Sequence, residues 1–515
     1  MSLSVLFSRA RSGIDAPLVT VEVHLSNGLP SLSTVGLPEM AVRESKDRVR
    51  GALLNSRFDF PARRITINLA PADLPKEGGR FDLPIALGIL AASGQIDGTG
   101  LAGYEFIGEL ALSGELRSVK GVLPVAMAAA QAGRSLLLPA GNAPEAWLVR
   151  GLPVYPAHSL LEVCEHLIGS RRISVFQGDV PVQAKTHGYD LSEVKGQQHA
   201  KRALEVAAAG GHSLLMIGPP GSGKSMLANR LPSVLPPMTD PEAQETAAVL
   251  SVSNKGFLIK NWKRRPFRSP HHTASGVALV GGGSNPKPGE ISLSHNGVLF
   301  LDELPEFSRA VLEVLREPME TGAITISRAA RQAEFPARFQ LVAAMNPCPC
   351  GYLGDDYGKE CRCTLDQVTR YRSRLSGPLM DRIDMHIEVP RLPMELMDSG
   401  NRQPIESSDA VRTRVEACRR IALDRSGCPN SQLTGRLLEN VCAVSPEARQ
   451  FLIRAVEKLG LSARAYHRIL RMARTIADLE GKEKITATHL SEALGYRRLD
   501  RACDGTLDRP TSASG

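Results

Sequence analysis

The sequence predicts a multidomain α/β protein: an N-terminal α+β region, a central parallel nucleotide-binding sheet and a helical C-terminal region. Three observations lead there. The chain has 515 residues, too many for one ordinary hydrophobic core. A glycine-rich run, GPPGSGKS, follows the apolar segment SLLMI. From about residue 396 onward the apolar spacing is almost wholly helical.

Residues 1–170 alternate apolar and polar positions in VTVEVHL, RITINLA and SLLLP, between alanine-rich helical stretches, the pattern of an α+β domain. Residues 171–190 are polar and weakly patterned and are expected to be a linker. Residues 191–395 alternate short apolar strands with helices, and 396–515 are expected to be helical. With 43% hydrophobic and 23% charged residues, the composition is that of a soluble globular protein. The N-terminus meets Arg9 and Arg11 early, and no apolar run approaches the roughly 20 residues of a membrane helix, so a cytoplasmic protein without a membrane partner is expected. In that reducing compartment nine cysteines, five of them scattered singly, do not form a disulfide framework. The net charge of +8 points to an acidic partner, nucleic acid first, or to a solvated basic surface.

The strongest chemical signal is Gly218, Pro219, Pro220, Gly221, Ser222, Gly223, Lys224 and Ser225, which fits G-x-x-x-x-G-K-[ST]. Its glycines let backbone amides curl around phosphate oxygens, Lys224 supplies a point charge, and Ser225 is placed to ligate magnesium. About eighty residues on, VLFLDE ends in Asp302, suited to hold Mg2+ through water, and Glu303, suited to polarise the attacking water. A further strand, FQLVAAMN, ends in Asn346, at the edge where a polar group can orient that water. ATP and Mg2+ are the expected cofactors.

Other stretches carry weaker signals. AITISRAARQAEFPARF reads as a hairpin with Arg328 and Arg331 near its turn, suited to follow a phosphate backbone. His271 and His272 beside Arg268, within the long insertion 245–297, either do the same or form a hydrogen-bonded turn. Cys348, Cys350, Cys361 and Cys363 form C-x-C, a ten-residue loop, then C-x-C. Four thiolates suit a structural tetrahedral Zn2+ with no open position, a redox role and simple packing being the alternatives.

The segments VKGQQHAKRALEVAAAGGHSLLMIGPPGSGKS, FRSPHHT, GVLFLDELPEF, AAMNPCPCG and GPLMDRIDMHIEVP resemble the magnesium-chelatase-like AAA+ ATPases. The resemblance runs through essentially the whole chain and is most similar to the ComM/YifB family, associated with DNA branch migration during natural transformation. It implies an AAA+ core over 191–395, with a cysteine insertion at 348–363, and a helical lid over 396–515. It also implies Asn346 as sensor 1, Arg382 as an arginine finger offered to a neighbouring subunit, and Arg464 as sensor 2. Helix caps or ion pairs are the alternative roles for these arginines. A homo-oligomeric ring, a hexamer, would couple ATP hydrolysis to single-stranded, duplex or branched DNA, alongside recombination proteins. A metal-insertion chelatase motor and a protein-remodelling ATPase are the alternative functions.

VGLPEMAVRESKDRVRGALLNS and ITINLAPADLPKEGGRFDLPIALGILAAS look like a Lon-protease-like domain. Such peptidases need a serine nucleophile and a lysine base. Arg80 stands where the serine is expected and the helix VAMAAAQAG has no lysine, although Lys76 and Lys120 are nearby. A noncatalytic platform over 1–170 is therefore expected.

Overall fold

The computed structural model describes residues 3–36, 44–74, 76–178, 188–253, 255–283, 286–328, 331–355, 357, 359–393 and 406–497. Residues 179–187 of the expected linker, and the expected boundary at 395/396, fall outside them.

The N-terminal region is built on a seven-stranded mixed sheet. Its order is Ser31–Val35, Arg64–Ala70, Leu18–Ser26, Leu3–Arg9, Tyr104–Phe106, Ser135–Pro139, Val154–Ala157. Strict alternation buries Val19, Val21, Val23 and Leu25 on one face. The helix Asp82–Ala92, apolar on nearly every side, packs there. Gly88 permits the approach, because a Cβ at that position would lie 2.5 Å from Val23 Cγ2. Arg9 grips the buried Glu105 carboxylate with two hydrogen bonds of 2.7 Å, and Arg134 adds one of 3.2 Å. These bonds join the antiparallel half of the sheet to its parallel half.

The central sheet is parallel throughout, in the order Phe267–Arg268, Val298–Leu301, Gln340–Met345, Leu214–Ile217, Met385–Glu388. VLFL and QLVAAM are buried at every position, as strands covered on both faces must be. All carboxyl ends therefore share one edge, and loops leaving that edge carry the ligand-facing residues.

Among the described residues the helices Ser408–Ser426, Gly435–Val441, Pro446–Leu459, Ala463–Leu479 and Ala487–Gly495 follow. Ser407, Ser445 and Ser462 cap three of them through their side-chain oxygens. Ile469, Met472, Ile476 and Leu490 join Leu214, Met216 and Met385 in one apolar cluster, so this region shares its core with the central sheet. Among the described residues no helix is long and apolar enough to cross a membrane.

The N-terminal region docks through helix Val122–Gln131 onto helix Asp240–Ser251, where Ala126, Ala129, Ala243 and Ala247 share one apolar cluster with Trp262. Gln244 donates to the Leu148 carbonyl across it at 3.3 Å. A long charged side chain forced into this alanine seam must displace its packing and costs several kcal/mol. Ala247→Arg should split urea unfolding into two transitions where the parent shows one, with new protease cleavage between the two regions.

Candidate active site

The glycine-rich loop leaves strand Leu214–Ile217 and opens helix Lys224–Val234. Gly223 turns the chain at φ +95°, and Gly218 passes so close to the Val389 carbonyl that a Cβ would lie 2.1 Å from its oxygen. Lys224 Nζ donates to the carbonyls of Gly218 at 2.7 Å and Pro219 at 2.8 Å, with Asn346 Oδ1 at 3.4 Å. Burial pulls its pKa down, against the opposing charges of Asp302 and Glu303. Ser225 Oγ donates to Asp302 Oδ2 at 2.6 Å, and the other oxygen of Asp302 accepts the Glu303 N–H at 3.0 Å.

Glu303 occupies left-handed backbone, φ +53°, a conformation a glutamate adopts only when its surroundings impose it. The structure thus brings Lys224, Ser225, Asp302, Glu303 and Asn346 together at the carboxyl edge. The lysine, the hydroxyl and the two carboxylates are the donor set that a triphosphate and Mg2+ require.

Arg382 and Arg464 lie elsewhere. Arg382 precedes strand Met385–Glu388, whose register pairs Leu214 with Met385 and Ile217 with Glu388, so it sits at the amino edge. It is buried, with Nη2 2.5 Å from Glu320 Oε1 and Nη1 donating to the Pro378 carbonyl at 2.7 Å. Arg464, exposed on helix Ala463–Leu479, joins Arg382, Arg468 and Arg471 around a cavity of about 540 Å³. Ser213, Gln340 and Asp384, at or just before strand starts, complete its wall, whereas Lys224, Asp302, Glu303 and Asn346 do not line it. The Nε atoms of Arg382, Arg468 and Arg471 are buried without a hydrogen-bond partner, which suits an anion.

Two relations escaped the sequence reading. Asp384 is buried yet accepts from Ser213 N at 2.9 Å, Ser213 Oγ at 3.0 Å and Arg468 at 2.6 Å. Burial would raise its pKa, but bonding to His212 and the charge of Arg468 hold it well below the usual carboxylate range. The second relation is His272, whose Nδ1 lies 3.2 Å from Glu303 Oε2. FRSPHHT and GPLMDRIDMHIEVP carry these residues, but neither pairing is visible in the sequence, since both depend on how distant segments pack.

The hairpin expected around Arg328 and Arg331 pairs Ala323–Arg328 with Arg331–Pro336, the two arginines opposite each other in register. Their side chains lie outside the described residues. Arg268 is committed to a bidentate pair with Glu290, at 2.5 and 2.6 Å, which fastens the insertion to the sheet. Arg80 is buried and donates to the Lys120 carbonyl at 2.7 Å, with its pKa brought down to about 10 by burial and by Arg11. Lys76 is fully buried, its ammonium on the Pro71 carbonyl.

The sulphurs of Cys348, Cys350, Cys361 and Cys363 all lie within 4.8 Å of one another, with three separations of 3.4, 3.7 and 3.6 Å. Ligands about 2.3 Å from a tetrahedral zinc stand about 3.8 Å apart, so the set fits that ion. Burial pushes the Cys350 thiol up, but backbone N–H groups of Tyr352 and Arg362 outweigh it and bring the thiol down to about 6.

Models of the magnesium chelatase ChlI subunit match residues 190–397, of its C-terminal part residues 405–497, and of subunit ChlI of Mg-chelatase residues 21–142. The chain is 54% identical over 506 residues to competence protein ComM of Haemophilus influenzae, covering 97% of this chain and 98% of that one. It is 49% identical to the YifB proteins of Salmonella typhimurium and Escherichia coli, over 501 and 503 residues, with 97% of this chain and 98% of theirs covered.

Glu303→Gln should bind ATP normally and turn it over about 10²-fold or more slowly, since the amide cannot take a proton from water. A fluorescent nucleotide titration beside a phosphate-release assay checks both halves. Arg382→Ala should bind nucleotide and lose turnover, and Lys224→Ala protomers with intact Arg382 should partly rescue it in mixed assemblies.

Proposed function

The chain belongs to the magnesium-chelatase ChlI family, on the branch of the ComM and YifB proteins, and from that premise we propose that it is a ring-forming, ATP-driven DNA motor. In this reading it is a helicase or branch-migration translocase that serves homologous recombination during natural transformation. The family is one of AAA+ ATPases. The observation that carries the motor reading is the division of the site. The P-loop and its carboxylates stand at one edge of the sheet and the arginine cavity at the other, which supports head-to-tail protomers in a hexameric ring.

In such a ring Lys224 and Ser225 bind the phosphates and metal, Asp302 holds the metal through water, and Asn346 orients the attacking water. Glu303 takes its proton. When bound, ATP and Mg2+ supply the phosphoanhydride and the charge that neutralises it. Arg382 and Arg464 reach the neighbour's nucleotide from the cavity, where an arginine in trans contributes about 10³-fold or more. The name of the ComM relative and the arginine-tipped hairpin support DNA as the substrate. The N-terminal region serves as a noncatalytic Lon-like platform, since the site of the expected nucleophile holds buried Arg80. The cysteine cluster holds a structural Zn2+. The protein acts in the cytoplasm beside recombination proteins. A second reading, the motor of a metal-insertion chelatase, is favoured by the family's description and predicts ATPase activity indifferent to DNA.

ATP hydrolysis should rise with single-stranded, duplex or four-way-junction DNA, and DNA binding should fall steeply with salt as counterions are released. Arg328→Ala with Arg331→Ala should lower DNA-stimulated turnover more than basal turnover. An equal fall in both would make the hairpin structural.

Elemental analysis of untagged protein should find about one zinc per chain. A Cys361→Ser, Cys363→Ser variant should lack it and melt at lower temperature. Four freely titratable thiols in metal-free native protein would contradict this assignment.

A further inference from the structure

The turn between the first two strands of the N-terminal region reaches the hairpin that carries Arg328 and Arg331. Strands Leu3–Arg9 and Leu18–Ser26 pair antiparallel, and the pairing runs on past the sheet. Ala10 N donates to the Pro17 carbonyl at 3.0 Å, and Ser12 and Asp15 exchange backbone hydrogen bonds of 3.0 and 2.9 Å. Gly13, at φ +60°, opens the two-residue turn at the tip. A Cβ on Gly13 would lie 3.4 Å from Ala333 Cβ and 3.5 Å from the Glu334 carbonyl oxygen, and Ile14 packs on the apolar cluster that holds Ile324, Ile326, Ala333 and Phe335. Arg9 stiffens the stem, since besides Glu105 it holds the Ala16 carbonyl at 3.0 Å and the Ala128 carbonyl at 3.1 Å.

We propose that Ile14 is a positioning residue: the 12–15 turn braces the hairpin of Ala323–Arg328 with Arg331–Pro336, and through it the N-terminal region sets where that hairpin meets DNA. A two-stranded ribbon is marginal by itself in water and keeps its shape only where one face is covered. In this one Ile324, Ile326, Ala333 and Phe335 are buried, while Thr325, Ser327, Gln332 and Glu334 between them are exposed. The register pairs Ile324 with Phe335 and Ile326 with Ala333, so the four buried residues share a face. That face is covered from two sources. Ile326, on the first strand, lies against Gly281 of the long insertion, where a Cβ would stand 2.8 Å from its Cδ1. Ala333 and Phe335, on the second strand, meet the N-terminal turn. The second strand begins at Arg331, opposite Arg328, so the turn steadies the strand that leads to both arginines. The use of the brace to present them to DNA rests on the motor reading proposed above, whereas the brace itself does not.

The test compares the full chain with its Ile14→Ser and Ile14→Leu variants by hydrogen–deuterium exchange and by ATP hydrolysis titrated with duplex DNA. In Ile14→Ser, amide exchange should rise over 323–336 and stay unchanged in helix Asp82–Ala92 and strand Leu214–Ile217, with basal kcat and KM for ATP at the parent's values. A hairpin correctly placed for only a fraction of the time binds with its affinity reduced by that fraction. The DNA concentration for half-maximal stimulation should therefore rise roughly three- to tenfold, while kcat at saturating DNA is kept. Ile14→Leu, which still fills the contact, should behave as the parent does. Unchanged exchange over 323–336 overturns the brace, and so does a joint loss of basal and stimulated turnover, which marks a folding defect. Raised exchange with an unmoved DNA titration overturns the positioning role. If exchange rises but DNA stimulates neither parent nor variants, the brace stands and the DNA reading fails.

Discussion

Parallel strands dictate the division of the chemistry. Because all five central strands run the same way, Asp302 and Asn346 leave strand ends directly at the carboxyl edge, and Lys224 opens the helix that follows a third. Arg382 precedes its strand and is confined to the amino edge. The strand between them is four residues long, roughly 13 Å at about 3.3 Å per residue. No rotamer of a buried, ion-paired arginine spans that length to reach the phosphate loop of its own chain. The chain therefore carries the phosphate loop and the arginine cavity at opposite edges of the sheet, and the strand sets their separation.

Asp384 makes the amino edge rigid. A lone carboxylate buried this completely would be protonated or expelled. Here Ser213 supplies two donors and Arg468 a charge, with His212 Nδ1 3.7 Å away. Arg468 also donates to the Arg382 carbonyl at 2.7 Å. One side chain of the C-terminal helix thus fixes both the aspartate and the backbone of the arginine loop. Arg464 stands one helical turn before Arg468 and shares the cavity with Arg382. A tilt of that helix would therefore move Arg464 and the Arg382 backbone together.

The elements that bear local periodicity were legible in the sequence. The buried runs SLLMI, VLFLDE and FQLVAAMN are the strands Leu214–Ile217, Val298–Leu301 and Gln340–Met345, and MLANRL continues the helix that begins at Lys224. Their order in the sheet, with the last strand next to the first, is not periodic information and came only from pairing. The same limit applies to the site. Lys224, Asp302 and Asn346 follow recognisable strands, so position alone brought them together. His272 read either as a phosphate-backbone contact or as a turn residue, because Glu303, beside which it lies, is thirty-one residues away after a different strand. Arg268 looked like a free cation because nothing local shows that Glu290 will fold back onto it.

The cysteine excursion has a place in the same geometry. It begins two residues after Asn346, and Gly351 turns at φ +87° against the phosphate loop, where a Cβ would lie 2.8 Å from Pro220 and 3.7 Å from Asn346 Cγ. Arg372 secures the start of the excursion by donating to the Pro347 carbonyl at 3.2 Å. A segment passing this close to two catalytic elements must be stiff, yet among its described residues it has neither helix nor strand until Leu365. The four sulphurs lie within 4.8 Å of one another, a spacing that fits a single tetrahedral ion. Cys350 is the residue next to Gly351, so the cluster begins at the turn that touches Pro220.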